Sequence, residues 1–385
     1  MIGGHNSAIA QDYGMGIEEK FLKALLIPTY GEDKSEVVIA NQRHSLLDQL
    51  RMGVRHLEVD VYHFFRLGGL RICHWPVFPP DFTILVNVAA RQQGLYPLDW
   101  EPTNMGCDDK KPFLEEKLLE MRGWLDLPEN SQELVGIYLD NKNVKVEHVE
   151  AFARVFLDVF GDIMFTPEQK NAEYPDRWPT VAELVTKNRR VYLENSDEEW
   201  LGNPTADRYF FTPTPWVQFG PERFEGYPNC SISGTNYYGR QLTRSLDGSL
   251  TLGPAFLWEG RSDYPDQSII DMAKCSINIQ SLDQITPDRI QHFVWSWERD
   301  QPNSAYSCPH VTSSGRWRTG DCARALPHAC VSTTDETNWT LTVAARYGAG
   351  VCPTGYTWSY PETGFLNQRL FAISAGMDVW LNFQA

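Results

Sequence analysis

The stretch "RHLEVDVYHF", residues 55–64, decides the fold class of this chain. Its apolar residues Leu57, Val59 and Val61 alternate with polar ones, which is the period-two pattern of a β-strand. The preceding residues 41–54, "NQRHSLLDQLRMGV", instead carry their apolar side chains at helical spacing. A helix that leads directly into a strand indicates an α/β unit.

Strand and helix patterns alternate along most of the chain. Strands are predicted at residues 70–75, 134–142, 162–167 and 189–196, and helices at residues 147–159 and 180–188. Residues 197–260 are rich in Gly, Pro and aromatic residues and predict long loops around one more strand, whereas residues 277–297 predict the last strand and helix. Repeated strand–helix units indicate an α/β fold with a mostly parallel sheet, here a (β/α) barrel with insertions over residues 1–297.

The character of the sequence changes after Trp297. Residues 298–385 contain four of the eight cysteines and little helical periodicity, which predicts a small disulfide-rich module. No CxxC pair is present, so a structural zinc site is disfavoured, and the even cysteine count favours four disulfides in a secreted protein. The pairing of the cysteines stays open. No signal peptide is visible, so a secreted form would have a leader that this chain lacks.

The formal net charge of −16 argues against binding to nucleic acid, and against holding an anionic membrane by bulk electrostatics. Contact with a lipid surface would have to be local or apolar. No apolar run approaches the roughly 20 residues that a membrane-spanning helix needs.

Polar residues collect where the predicted strands end. In a parallel barrel these ends form the functional face. Glu58 and Asp60 are two residues apart on one strand, so both side chains point to the same face. Two carboxylates inside a barrel are costly unless a positive group binds there, and a divalent cation would satisfy both.

Asn6 and Asp140 would complete an all-oxygen ligand set, which favours Ca²⁺, with Mg²⁺ as the alternative, over zinc. His5 and His74 would then flank the metal as general base and general acid for a displacement at phosphorus. Lys142 and Glu194 are further substrate-binding candidates at strand ends, although a surface role for Lys142 is the alternative.

Four motifs in this order resemble the phosphatidylinositol-specific phospholipase C superfamily, the PLC-like phosphodiesterases. They are "GGHNS" at 3–7, "GVRHLEVDV" at 53–61, "RICHW" at 71–75 and "IYLDN" at 137–141. The resemblance covers residues 1 to 297 and implies a distorted TIM barrel. An insert at residues 18–42 predicts an extra helix or lid.

The order of the motifs resembles the metal-dependent branch of that superfamily, because the metal-free bacterial branch has an arginine in place of Asp60. The resemblance implies His5 as the general base or phosphate-contacting histidine and His74 as the general acid. It implies the metal ligands Asn6, Glu58, Asp60 and Asp140.

The function expected from this resemblance is that of a metal-dependent phospholipase C-type phosphodiesterase that forms a cyclic phosphate. The absence of a basic cluster for ring phosphates favours an unphosphorylated inositol lipid, a GPI-type anchor or another phosphodiester as substrate. A glycerophosphodiesterase and a sphingomyelinase-D-like lyase are alternatives with the same layout of histidines and acids.

The C-terminal module resembles part of a C-type lectin domain in the stretch "WSWERDQPN", residues 295–303, and in "GRWRTGDCARALPHAC", residues 315–330. This resemblance implies glycan binding by residues 298–385. It leaves one alternative from another functional class, a non-catalytic carbohydrate-binding or adhesion protein with the barrel as scaffold.

Overall fold

The computed structural model describes residues 1–16, 40–63, 69–73, 111–141, 144–237, 242–248 and 266–383, with positions 19, 23, 27, 28, 31, 32, 35 and 38. His74, Lys142 and most of the insert at residues 18–42 lie outside these residues.

The chain divides into two compact units. The first comprises Met1–Pro221, Leu242–Tyr264 and Ile279–Pro287, and the second comprises Glu222–Gln241, Pro265–Asn278 and Asp288–Ala385. The second unit thus includes three segments that precede residue 298, in addition to the predicted C-terminal module.

The strands are numbered along the chain. They are β1 (Ile2–Gly4), β2 (His56–His63), β3 (Leu70–Ile72), β4 (Val135–Asn141), β5 (Met164–Phe165), β6 (Val191–Asn195), β7 (Phe210–Phe211), β8 (Trp216–Phe219), β9 (Phe224–Glu225), β10 (Ser231–Ile232), β11 (Thr235–Asn236), β12 (Leu242–Leu246), β13 (Ile279–Leu282), β14 (Cys308–Val311), β15 (Trp317–Gly320), β16 (Ala329–Ser332), β17 (Trp339–Leu341), β18 (Tyr356–Trp358) and β19 (Val379–Trp380).

The α-helices whose bounds are described follow the same numbering scheme. They are α1 (Leu46–Met52), α2 (Leu114–Leu125), α3 (Val149–Phe160), α4 (Pro167–Glu173), α5 (Val181–Thr186), α6 (Pro204–Tyr209), α7 (Asp266–Lys274), α8 (Pro287–Gln291) and α9 (Gly364–Ser374).

The first unit is built on a parallel sheet in the order β5-β6-β4-β2-β1-β13-β12-β8. Every neighbouring pair along this order is parallel. The sheet is curled, because side chains of β2 and β12 meet although β1 and β13 lie between these strands. In a flat sheet those two strands would be about 14 Å apart. The predicted distorted (β/α) barrel is therefore confirmed, in the form of a curled eight-stranded half-barrel.

The helices of the first unit begin and end where the sequence gives the signals. The hydroxyl of Ser45 accepts the backbone N–H of Asp48 at the start of α1, and Gly53 ends this helix with a positive φ of 108°. Helix α3 buries Phe152, Phe156 and Phe160 on one face. The helices pack in a layer, α1 against α2, α2 against α3 and α3 against α6.

The strand predicted at 70–75 is present as β3, which runs antiparallel to β2 with Val61 opposite Ile72. One part of the sequence prediction was wrong. Residues 197–260 contribute three strands to the sheet, β7, β8 and β12, where one was expected. These strands have two to five residues, too few to show a period against a loop-like composition.

The second unit contains three small antiparallel sheets, β11-β10-β9, β15-β14-β19 and β17-β16-β18. Three disulfides link Cys230 to Cys275, Cys308 to Cys322, and Cys330 to Cys352. Its apolar core contains the buried residues Val311, Trp317, Ala329, Trp339, Leu366, Leu370, Val379 and Leu381. The prediction of a disulfide-rich C-terminal module is thus confirmed.

Cys73 of the first unit is disulfide-bonded as well, and none of the described cysteines is a free thiol. This cysteine usage is consistent with an extracellular protein. Among the helices within the described ranges, none combines the length and apolarity required to span a bilayer.

Candidate active site

The concave face of the half-barrel is polar and carries paired charges. Along β2 the apolar residues Leu57, Val59 and Val61 are fully buried on one side, so His56, Glu58 and Asp60 point to the other. Contacts from this second set reach strands that are not neighbours of β2, which identifies the side as the concave one.

His5 and Asp283 form the first pair. His5 follows β1 and Asp283 follows β13, and these neighbouring parallel strands bring both residues to the same edge of the sheet. The Nδ1 atom of His5 lies 2.9 Å from Oδ1 of Asp283. Asn41 donates to the other carboxylate oxygen of Asp283 at 2.8 Å, which fixes the orientation of the carboxylate.

The charges around His5 favour its protonated form. Burial alone would lower the pKa of the imidazole, but the negative charges of Asp283 and Glu58 and the hydrogen bond to Asp283 together raise the pKa to about 9. The side chain of His5 is 13% exposed while that of Asp283 is fully buried, so His5 is the member of the pair that a ligand can reach.

Glu58 and Arg244 form the second pair. The Nη2 group of Arg244 donates to Oε2 of Glu58 across the concave face. Arg244 also donates to Ser281 at 2.8 Å and to Gln218 at 3.2 Å. Its guanidinium lies 4.6 Å from the ring centre of Tyr138 and 4.8 Å from that of Trp216, and no part of the residue is exposed.

His56 and Glu194 form the third pair. The Nε2 atom of His56 lies 2.6 Å from Oε2 of Glu194, and the indole of Trp216 donates to Oε1 at 3.0 Å. A side chain on residue 136 would collide with this arrangement, since a Cβ on Gly136 would lie 2.9 Å from the His56 ring. Because protein groups engage both oxygens of Glu194, the predicted substrate-binding role of this residue would require them to be displaced.

Asn6 lies beside the first pair. Its φ of 42° is in the left-handed region, where asparagine is enriched, and this conformation turns the chain away from β1 directly after His5. The side chain is 6% exposed and donates to Asn41 at 3.2 Å, which connects Asn6 through Asn41 to Asp283.

Asp60 and Asp140 are register partners on β2 and β4, so their side chains leave adjacent positions of the sheet on the same face. Carboxylates in such positions, with the amide oxygen of Asn6, fit the donor chemistry of Ca²⁺ or Mg²⁺. Within the described ranges, no three His, Cys, Asp or Glu side chains are arranged to hold a metal ion by themselves. Further oxygens would therefore have to complete the ligand set.

The sequence predicts a positive group near the carboxylate of Glu58, and a side chain of the protein supplies it. Arg244 neutralises this carboxylate, so charge compensation of Glu58 does not require a metal ion. The sequence analysis missed Arg244 and Asp283. The rule that polar residues at strand ends are site candidates selected Asp140, and it could have selected Asp283 as well. Asp283 directly follows the predicted last strand. Arg244 lies within a short strand of the poorly patterned segment at 197–260 and gave no such signal.

Comparisons with known proteins find distant relatives. No protein-family model matches the chain. Two uncharacterised proteins of Mycobacterium tuberculosis, MT2135 of strain CDC 1551 and Rv2075c of strain H37Rv, are each 24% identical to it over 374 residues, covering 89% of this chain and 71% of theirs.

Three similar solved structures are two phosphatidylinositol-specific phospholipases C and one glycerophosphodiester phosphodiesterase. The match to the phosphatidylinositol-specific phospholipase C of Listeria monocytogenes has a TM-score of 0.42 at 15% identity. It covers 76% of this chain and 90% of that enzyme's chain. The Ca²⁺-dependent enzyme of the same name from Streptomyces antibioticus has a TM-score of 0.37 at 13% identity, with coverages of 64% and 90%. The glycerophosphodiester phosphodiesterase of Agrobacterium tumefaciens has a TM-score of 0.30 at 12% identity, with coverages of 62% and 86%.

Two of these names are that of the enzyme that the four sequence motifs resemble, and the third is that of an alternative considered in the sequence analysis.

Proposed function

We propose that the first unit is a phosphodiesterase whose substrate phosphate binds over the concave face beside His5. The observation that supports this most directly is the His5–Asp283 pair, placed at the carboxyl edge of the sheet next to the Glu58–Arg244 pair. A carboxylate that holds one nitrogen of an imidazole leaves the other nitrogen in a fixed direction for proton transfer.

His5 has the central role in the proposed reaction. With Nδ1 held by Asp283, its Nε2 atom takes the proton of the attacking hydroxyl in those molecules whose imidazole is neutral, because the protonated ring that the raised pKa favours can only donate. Asp283 and Glu58 stabilise the imidazolium that results, because both carboxylates are close enough to raise the pKa of His5. His74 remains the proposed acid for the leaving group.

Arg244 acts in this proposal as a positioning residue. It is fully buried beneath the rings of Tyr138 and Trp216, so it does not contact the substrate. Its charge compensates the buried carboxylate of Glu58, which would be costly at this depth by itself. Glu58 in turn supports the positive charge of His5.

A divalent cation is the proposed cofactor, with Ca²⁺ preferred and Mg²⁺ as the alternative. Asn6, Asp60 and Asp140, with Glu58 beside them, would hold it. The ion would neutralise charge on the phosphate oxygens and lower the pKa of the attacking hydroxyl. Lys142 remains a proposed contact for the phosphate.

The proposed substrate class is a phosphodiester with a hydroxyl next to the phosphate, as in an inositol lipid. Attack by that hydroxyl forms a cyclic phosphate and releases the lipid alcohol. The alternatives are a glycerophosphodiesterase and a sphingomyelinase-D-like lyase, which would cleave a glycerophosphodiester or sphingomyelin by related chemistry. A lipid substrate would be met at a membrane surface, and the disulfides favour an extracellular setting.

The test is a head-group panel followed by phosphorus NMR. Purified protein with Ca²⁺ is incubated with phosphatidylinositol, glycerophosphoinositol, sphingomyelin and lysophosphatidylcholine. We expect a cyclic inositol phosphate from phosphatidylinositol, and loss of at least about 10²-fold in rate for His5→Ala. His44→Ala, which alters a partly exposed histidine outside the proposed site, is the matched control. If wild-type protein releases nothing from any member of the panel, the proposal fails.

A further inference from the structure

His5 and Asp283 lie directly beyond the last paired residues of two neighbouring strands. The ladder between β1 and β13 ends with Gly4 opposite Leu282, and one further hydrogen bond runs from the N–H of His5 to the carbonyl of Leu282 at 2.9 Å. Beyond this point the sheet no longer fixes the separation of the two chains. Proton transfer is sensitive to displacements of about 1 Å, so a group outside the sheet has to hold the two loops together.

The side chain of Gln42 makes this connection. Its Nε2 group donates to the backbone carbonyl of His5 at 2.8 Å and to that of Leu282 at 2.7 Å. Its Oε1 atom accepts the backbone N–H of Ile285 at 3.1 Å. Gln42 is fully buried, and all of these residues belong to the first unit. One amide group therefore joins the chain at His5 to both ends of the loop that contains Asp283.

The backbone of Gln42 is itself held by hydrogen bonds. Its N–H donates to the carbonyl of Ile9 and its carbonyl accepts the N–H of Gln11, both at 2.9 Å, so this segment pairs in parallel with the chain that follows β1. The backbone N–H of Gln284 donates to the carbonyl of Asn41 at 2.7 Å. The amide of Gln42 therefore reaches the two loops from a fixed point of the backbone.

Among side chains of this length, a primary amide is the one that matches the backbone groups around Gln42. Two carbonyl oxygens need N–H donors and one N–H needs an acceptor, and the amide supplies two donors and an oxygen. A carboxylate of the same shape would direct an oxygen at the two carbonyl groups. A thioether would leave buried polar groups without this partner. The chain around His5 and Asp283 thus specifies the chemistry of this residue as well as its size.

We propose that Gln42 is a positioning residue of the candidate active site, whose amide sets the separation between His5 and Asp283. The residue is buried, so it acts through the two loops and does not contact the substrate. Its neighbour Asn41 donates to the carboxylate of Asp283 at 2.8 Å, so two adjacent residues orient the backbone and the side chains of the same pair. Gln42 is also the last residue of the insert at 18–42, which gives the end of that insert a role in the reaction. This proposal rests on the proposed phosphodiesterase function.

The first measurement is the rate at which Gln42→Met cleaves the phosphodiester that wild-type protein cleaves. We expect kcat to fall about 10²-fold, because the loops that carry His5 and Asp283 are no longer joined. KM should stay within about twofold, because no group that touches the substrate is changed. Gln132→Met makes the same replacement at an exposed turn of the same unit, and this matched control should keep the wild-type kcat.

The second measurement does not require activity. The proton between His5 and Asp283 should give a downfield resonance in the proton NMR spectrum, identified by its loss in His5→Ala. We expect this resonance to move or to broaden in Gln42→Met, and also in Gln42→Glu, which keeps the shape of the side chain but lacks the two N–H donors. Gln132→Met should leave the resonance in place. A merely structural role of Gln42 would lower the thermal midpoint of unfolding without changing this signal.

Thermal unfolding identifies the variants that are folded at the assay temperature. An unchanged resonance in folded Gln42→Met or Gln42→Glu overturns the positioning role, and so does a wild-type kcat in either variant. If wild-type protein cleaves no phosphodiester, the phosphodiesterase proposal fails by itself. The resonance then still decides whether Gln42 sets the geometry of the pair.

Discussion

Arg244 and Glu58, which are 186 residues apart in the sequence, form a buried ion pair across the concave face of the half-barrel. The side chains are 0% and 5% exposed. Each of the two charges would be very costly at this depth without the other. The pair therefore links β2 to β12, and both of its charges act electrostatically on His5.

Removal of one member of this pair should destabilise the protein. Arg244→Met leaves Glu58 buried and uncompensated, and we expect a loss of about 3–5 kcal/mol in the free energy of unfolding, measured with urea. The double variant Arg244→Met/Glu58→Gln should recover part of this loss, because no buried charge remains.

The matched control is the exposed pair of Arg51 and Asp48 on α1, at 2.9 Å. Arg51→Met should cost no more than about 1 kcal/mol, as is usual for surface ion pairs. Equal losses for Arg244→Met and Arg51→Met would contradict the coupling described here.

The variant Asp283→Asn tests whether activity depends on the orientation of the His5 ring, because the ring itself is retained. The amide has nearly the shape of the carboxylate but can present an N–H to Nδ1, so the ring is no longer held in the productive tautomer. We expect phosphodiester cleavage to fall about 10²- to 10⁴-fold in kcat. The downfield proton resonance of a carboxylate-bound Nδ1–H should disappear from the NMR spectrum of the same variant.

Asp288→Asn, at an exposed position five residues further along the chain, is the control and should leave both measurements unchanged. An Asp283→Asn enzyme with wild-type kcat would remove Asp283 from the proposed mechanism, whatever the role of His5.

Cation binding should depend on the register pair on β2 and β4. Asp60→Asn and Asp140→Asn each remove one of two like charges at adjacent positions, and we expect each to weaken Ca²⁺ binding at least about tenfold in calorimetric titrations. EDTA should abolish cleavage, and Ca²⁺ should restore it. Asp207→Asn, an exposed carboxylate on α6, serves as the control. Full activity in EDTA together with no heat of Ca²⁺ binding would end the metal proposal.

The second unit should lose stability in mild acid. His328 is fully buried, and its Nε2 atom accepts the backbone N–H groups of Gly348 at 3.0 Å and Gly350 at 3.3 Å. Burial lowers its pKa below the ordinary 6.5, so the unfolded chain binds a proton more readily than the folded one. Stability should therefore fall as the pH drops below about 6.5.

The measurement is the thermal midpoint by calorimetry between pH 8 and pH 5. His328→Gln keeps an acceptor for the two N–H groups without a titrating ring, and its midpoint should change less with pH. The dependence should not vanish, because burial also lowers the pKa of His310. A midpoint that is constant or rises as the pH falls would refute the prediction.

The regular elements were predictable wherever a long segment had one clear period. Strand β2 and helix α3 lie within one or two residues of the predicted ranges 55–64 and 147–159. Their apolar residues face a single direction, and burial of that face decides the structure. Strands β7, β8 and β12 were not separable from loops, because their inward residues are polar or aromatic and each strand is short.

The candidate site was predictable in part. The rule that polar residues collect at the ends of parallel strands selected His5, Glu58, Asp60 and Asp140, and the structure brings them to one face. The rule selects positions and does not select partners. The partner of Glu58 is Arg244, which reaches it only because the sheet is curled. No local pattern of the sequence indicates this curl.

The three ion pairs of the concave face have a consequence for biosynthesis. His5 with Asp283, His56 with Glu194, and Arg244 with Glu58 join residues that are 278, 138 and 186 positions apart in the sequence. This face can therefore form only after nearly all of the first unit has left the ribosome.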